Sequence, residues 1–198
     1  DGILNIRVGA IIMKDGKRVF NLFADLHFTE EETRSIKGIG PEKNEFDDIF
    51  DGNNHVISGI YFNADNDRRK RVAIFENTTT DAIIKNIVID DAAIVENEEN
   101  FSSTVAILVG YNYGIIDNCK IKSGTVITKS NKEISGICSA NHGYIINSST
   151  EDFSVTKDIS RYSAAFSPLC CVNESFIINC NVNIDLDCIA EEKQRISA

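Results

Sequence analysis

The sequence predicts an all-β chain wound into a parallel β-solenoid, and three observations carry that prediction. The first is a marker asparagine that returns at a drifting interval. Asn86, Asn118, Asn147 and Asn179 each stand two residues after an isoleucine, and Gly59 is read as the same position one step earlier. The steps 59 to 86, 86 to 118, 118 to 147 and 147 to 179 are 27, 32, 29 and 32 residues. An interval that drifts in this range marks stacked coils rather than a strict short repeat. The second observation is constancy around the marker. Ile57, Ile84, Ile116, Ile145 and Ile177 stand before it, and Ile60, Ile87, Cys119, Ser148 and Cys180 after it. Two further on stand Phe62, Ile89, Ile121, Thr150 and Val182, and the preceding strand aligns Ile74, Leu108, Ile137 and Leu169. Between them lie variable residues such as Ser58, Lys85, Asp117, Ile146 and Ile178. Constant apolar columns beside variable ones place one face inward along in-register strands. The third is composition: two prolines and no tryptophan, with abundant β-branched residues, suit interior parallel strands.

Residues 1–45 are expected to form an N-terminal cap and lead-in strands, because a solenoid end exposes strand edges that need covering. Ile3 to Met13 is apolar and β-leaning, and Asp15-Gly16 signals a hairpin turn. From Val19 to Phe28 the chain alternates, with Phe20, Leu22, Ala24, Leu26 and Phe28 on one face of a half-buried strand. Thr29 followed by Glu30, Glu31 and Glu32 reads as the capped start of a short helix, stopped by Gly38-Ile-Gly-Pro41.

Residues 46–198 are expected to hold about five coils of three short strands, as part of a longer chain. In the coil of Asn118 those strands are Val105–Val109, Ile115–Ile121 and Thr125–Thr128, and the third recurs as Ala93–Val95, Phe153–Val155 and Ile184–Leu186. Turn residues Asp51-Gly52 and Asn53-Asn54 open this region, and the charged run from Asn63 to Arg71 reads as a solvated insertion. The marker asparagines are assigned to tight bends in the left-handed region, with amides bonded along the column so that a buried polar side chain is satisfied. The charged tail 191–198 stops where another coil would start.

A net charge of −10 excludes nucleic acid and an anionic membrane surface as partners, and it repels polyanions such as pectate unless cations bridge the two. No apolar run approaches the ~20 residues of a membrane span. The chain starts Asp-Gly without Met, so it is read as mature or trimmed.

Gly110, Asn112, Gly114, Ile116, Asn118 and Cys119 together resemble the GLUG motif of bacterial surface proteins. The lead-in is similar too: Phe20 to Asp25, Ile39-Gly40, and Phe50 to Ile60 match the segment that precedes such repeats. The resemblance covers residues 20–183; Ser175 and Ala82 replace the motif glycine in two coils, and Val105-Ala106 replaces its first glycine pair. It implies a right-handed parallel β-helix of the pectin-lyase-like kind and an extracellular or cell-surface bacterial protein, adhesin-like or of unassigned role. That family has no agreed catalytic set, so no functional residue carries over.

The expected function is therefore a non-catalytic module, a spacer or a binder of carbohydrate or a host surface protein, acting as a monomeric domain without cofactor or metal. Its candidate ligand-binding residues are Tyr111, Tyr113 and Tyr144, outward aromatics at the same bend of adjacent coils. The alternative is a polysaccharide-active enzyme. Asp90-Asp91 and Asn141-His142-Gly143 are similar to fragments of a polygalacturonase site, but its other elements are absent. Lys85 and Lys120 face outward without a carboxylate cluster, and His27, His55 and His142 share no ligand spacing. Asp47, Asp48 and Asp51, or Asp65 and Asp67, match no calcium loop. The sequons at Asn77, Asn100, Asn147 and Asn173 read as by-products of Asn-rich turns. The six cysteines read as stacked free thiols: Cys119 and Cys180 sit two coils apart around Ser148, whereas Cys138 and Cys170 are neighbours.

Overall fold

The computed structural model describes residues 10–64, 71–96, 104–128, 133–157 and 165–184. The stretch before Ala10, Asp65 and Asp67, the Asn100 sequon, Cys188 and the charged tail lie outside these residues. Within them the chain is a parallel β-solenoid of about four turns.

A turn visits four sheets. The turn around Asn118 runs Thr104–Ala106, Val109–Asn112, Ile115–Asp117 and Lys120–Thr128. Each segment pairs in parallel register with the turns on either side, as Ile115 does with Ile83 and Tyr144. Two details differ from expectation. The strand expected over Val105–Val109 breaks between Ala106 and Val109, and the one over Ile115–Ile121 breaks at Asn118, whose φ of 50° no strand accommodates. A turn thus has four segments, not three. About four turns replace the expected five, because two of the sheets contain only four strands each among the described residues.

The core columns lie where the apolar constancy puts them from the second coil onward. Ile84, Ile116 and Ile145 are fully buried, as are Ile74, Leu108 and Ile137. The first coil is offset from the sequence alignment. Phe50 stacks on Ile84, and Ile57 stacks on Ile89. The marker partner of Asn86 is therefore Asn54, not Gly59, which falls in register with Asp91. The bend Gly52-Asn53-Asn54 holds two left-handed residues, Asn53 at φ 49° and Asn54 at φ 62°, and this longer corner caused the slip. With Asn54 restored, the steps 54 to 86, 86 to 118, 118 to 147 and 147 to 179 are 32, 32, 29 and 32 residues.

The marker asparagines adopt the left-handed conformation, at φ 54°, 50°, 51° and 53° for Asn86, Asn118, Asn147 and Asn179. They sit at the surface rather than in the core, and their ladder is interrupted. Asn118 donates to Asn86 at 2.8 Å and Asn179 to Asn147 at 2.7 Å, but Asn147 donates to Asp117. The buried ladder is a different column. Asn112 Nδ2 donates to Asn141 Oδ1 at 2.8 Å, and Asn141 Nδ2 to Asn173 Oδ1 at 2.8 Å. Thr78 Oγ1 closes its lower end by donating to Asn112 Oδ1 at 3.0 Å.

At the N-terminal end Asp15 and Gly16, at φ 51° and 81°, join Ala10–Lys14 to Lys17–Asn21 as an antiparallel hairpin. Lys17–Asn21 then pairs in parallel with Ile49–Asp51, and Leu26–His27 with Val56–Ser58. The single strand expected from Val19 to Phe28 is thus two strands around a corner at buried Leu22. Glu30–Thr33 is the short helix, with the Thr29–Glu32 capping box in place. Thr33 Oγ1 accepts from the Tyr61 amide at 2.8 Å, which ties the helix to the coil.

Candidate binding face

The buried asparagine ladder positions the three tyrosines. Asn112 points inward and locks its bend, accepting from the Gly114 amide at 3.2 Å and donating to the Tyr144 carbonyl at 3.3 Å. Its neighbours Tyr111 and Tyr113 therefore point outward. Both rings meet His142 of the next coil, Tyr111 at 6.3 Å and tilted. Tyr111 lies on the sheet before the bend, paired with Asn77 and Ala140, and the Arg71 guanidinium covers its ring at 3.9 Å. Tyr113 lies on the bend and stacks on His142 of the next coil, with centroids 4.7 Å apart and planes at 12°. His142 Nδ1 in turn contacts Glu174 at 3.0 Å. Tyr144 opens the strand after the bend and stacks on Phe176, at 5.3 Å and 11°.

The strand spacing of about 4.8 Å dictates this face-to-face stacking between coils. Its consequence is that the stacked ring faces meet each other, while ring edges and the tyrosine hydroxyls point outward. Tyr113, Tyr144 and Phe176 remain 44%, 42% and 55% exposed. One pleat further along the same sheet the outward column runs Asp51, Lys85, Asp117, Ile146 and Ile178. In its charged half Lys85 holds Asp51 at 2.9 Å and Asp117 accepts from the Asn147 amide at 3.0 Å. Its apolar half extends the aromatic strip, with Ile178 48% exposed. Tyr144, Ile146, Phe176 and Ile178 thus share one outer face, and Tyr111 and Tyr113 both stand against His142 at the bend beside it.

Phe176 and the isoleucines were not among the candidates. The signal was present, since Tyr144-Ile-Ile-Asn147 and Phe176-Ile-Ile-Asn179 are superposable segments with an aromatic at the same column.

The other polar groups are engaged with one another. Asp47 is held below the usual carboxylate range by the Thr79 hydroxyl and by Lys17. Arg18 forks onto Asp48 at 2.6 Å. Asp51 is opposed by burial, which raises it, but the Asn86 amide and Lys85 bring it below its ordinary value. Asp90 is lowered by Lys122 and the Ser123 hydroxyl. Asp25 is lowered by the Val56 amide and then by His55, which lies 3.1 Å away. His27 Nδ1 meets Ser58 Oγ at 2.6 Å on the exposed sheet. Among the described residues no three His, Cys, Asp or Glu side chains converge as metal ligands. Asp90 and His142, the fragments that resemble a polygalacturonase site, have separate surroundings: Asp90 ends a strand and is held by Lys122 and Ser123, and His142 sits on a bend against Tyr113 and Glu174. Among the described residues no helix is long and apolar enough to cross a membrane.

The cysteines Cys119, Cys138, Cys170, Cys171 and Cys180 are free thiols; the column arithmetic excludes a bond between Cys119 and Cys180 and permits one between the neighbours Cys138 and Cys170. Ser148 fills the gap in the Cys119 column, its hydroxyl accepting from the Cys119 amide at 3.1 Å.

A scan against protein-family models finds no match to this chain, and searches of curated proteins and of solved structures find none either.

Proposed function

We propose that this chain is a non-catalytic, adhesin-like module of the GLUG-repeat kind, displayed outside the cell, that binds a protein partner through the face built from Tyr144, Ile146, Phe176 and Ile178. The observation that supports the reading is the Tyr144–Phe176 stack flanked by Ile178, large apolar groups that lie outward and that the core does not use. Aromatic residues at the centre of an apolar strip are the usual anchors of protein interfaces. A sugar ring stacks on an open aromatic face. Here Tyr113 and Tyr144 give a face to their neighbours in the next coil, and Arg71 covers Tyr111. The edges and aliphatic groups that remain suit side chains of a partner protein better than a pyranose. The regular stack below carries this face as a rigid spacer.

The polysaccharide-active alternative has less to draw on. Its would-be carboxylate, Asp90, is engaged by Lys122 at 2.7 Å and Ser123 at 2.7 Å.

The reading is tested by screening the whole chain against a glycan array and a panel of purified extracellular proteins, then repeating each hit with Tyr144→Ala/Phe176→Ala. Binding to a protein that weakens at least tenfold in the double variant is the expected result. A hit on either panel that is indifferent to both substitutions would remove this face as the site. A glycan hit that the substitutions abolish would reassign the ligand class.

A further inference from the structure

We propose that Cys138 and Cys170 are a peroxide-responsive pair, in which Cys170 is oxidised first and Cys138 resolves it into a disulfide that staples two neighbouring coils. The two residues are direct partners in parallel register on adjacent strands. At a strand spacing of about 4.8 Å their Cα separation falls inside the range a disulfide spans. Both belong to one inward column, Phe75, Val109, Cys138 and Cys170, so both thiols face the same side. Each sulfur caps the carbonyl two residues ahead, Cys138 that of Ala140 at 3.3 Å and Cys170 that of Val172 at 3.2 Å. These contacts hold the thiols parallel. They are weak, and turning one χ1 exchanges such a contact for the S–S bond.

The pair is also unequal in the way a stepwise reaction needs. Cys138 is fully buried, whereas Cys170, nearer the end of the described coils, is only partly so. The neighbouring Cys138 thiol holds Cys170 below its ordinary value against the opposing effect of burial, while burial pushes Cys138 up. The thiolate is the form that attacks peroxide, so the reaction starts at Cys170. The remaining described cysteines lack a partner at this distance. Cys119 and Cys180 are separated by Ser148. Cys171 points to the other side of its strand, donating to the Ile134 carbonyl at 3.0 Å.

The chemistry balances with hydrogen peroxide as oxidant. The Cys170 thiolate attacks one peroxide oxygen; an S–O bond forms, the O–O bond breaks, and hydroxide leaves and takes up a proton. Cys138 then gives up its proton and attacks the sulfenic sulfur of Cys170. The S–S bond forms, the S–O bond breaks, and water leaves. Two thiols and one peroxide become one disulfide and two waters.

The test treats the folded full chain with a small excess of hydrogen peroxide, blocks residual thiols, and maps the tryptic peptides. Cleavage after Lys132, Lys157, Arg161 and Lys193 puts Cys138 alone in 133–157 and Cys170 in 162–193. A linked 133–157/162–193 species that dithiothreitol dissolves is expected in the wild type and in Cys171→Ser, and not in Cys170→Ser. In Cys138→Ser, Cys170 is expected to accumulate as sulfenic acid, trapped by dimedone. Absence of the linked species in the wild type, or its persistence in Cys170→Ser, would overturn the proposal. So would dimedone labelling confined to other cysteines in Cys138→Ser.

Discussion

Two asparagine columns run through this molecule, and their residues do different jobs. Asn118 is exposed and is selected for backbone shape, at φ 50°. A non-glycine residue without a short polar side chain costs about 1–2 kcal/mol in that region. Asn118→Ala is therefore expected to lower stability by about 1–2 kcal/mol, and Asn118→Gly by a few tenths. Asn141 is fully buried and bridges Asn112 and Asn173. Replacing it with Ala removes the side-chain acceptor of the buried Gly143 amide and one acceptor of the Asn112 amide, an expected cost of about 1–3 kcal/mol. Urea denaturation of the three variants checks the order. If Asn118→Gly proves as damaging as Asn141→Ala, the division of labour is wrong. Thiol reactivity gives a second check at this scale. Burial pushes the Cys119 thiol up to about 12, so it is expected to resist alkylation at pH 8 until the chain unfolds, while Cys170 reacts in the native state. Peptide mapping of a timed alkylation reads both, and early labelling of Cys119 would contradict the buried column.

The elements show what could be read in advance and what could not. Apolar constancy exposed the strands from Ile83 onward, because every later coil repeats the same inward residues. It failed in the first coil, where the corner at Asn53 and Asn54 is longer and Ile57-Ser-Gly59 imitates the marker segment. Periodicity also hides corners. Val105–Val109 is uniformly buried, so nothing in its hydrophobicity marks the bend between Ala106 and Val109. Local chemistry was more legible than packing: the Thr29–Glu32 capping box and the Asp15-Gly16 turn form as their residue types demand. Of the candidate site, the outward tyrosines were visible, but the meeting of Tyr111 and Tyr113 on His142 of the next coil depends on a corner that one inward Asn creates. Glycine in the bend marks contact between coils. A Cβ on Gly143 would stand 2.1 Å from the Gly114 carbonyl oxygen. Gly143→Ala is expected to cost about 1–3 kcal/mol through overpacking, measured as a lower denaturation midpoint; an unchanged midpoint would show that the bend yields freely.

For the whole molecule, ion pairs between turns add a pH-dependent contribution to the apolar stack. Asp47, Asp51 and Asp90 have carboxyls below their ordinary range in the folded chain. A depressed carboxylate contributes stability that is present above the unfolded value, about 3.9 for Asp, and lost as pH falls through the folded value. Lys17 and Lys122 are raised, chiefly by hydrogen bonds to Asp47 and Asp90, so their share is lost only above about pH 10. Stability is thus expected to be level from pH 5 to 8 with respect to these groups and to fall below about pH 4. The fall should be shallow, because these pairs are largely solvent-screened. Denaturation midpoints across pH 3–8 test this, and a midpoint that rises on acidification below pH 4 would contradict it.

The function assigned to the molecule rests on one outer face of one sheet, and a binding measurement on that face tests it most directly. The wild-type chain and Tyr144→Ala/Phe176→Ala are compared by titration against the same immobilised extracellular protein, after both are shown to unfold at the same midpoint. The account predicts at least a tenfold weaker affinity for the double variant. Equal affinities would contradict it.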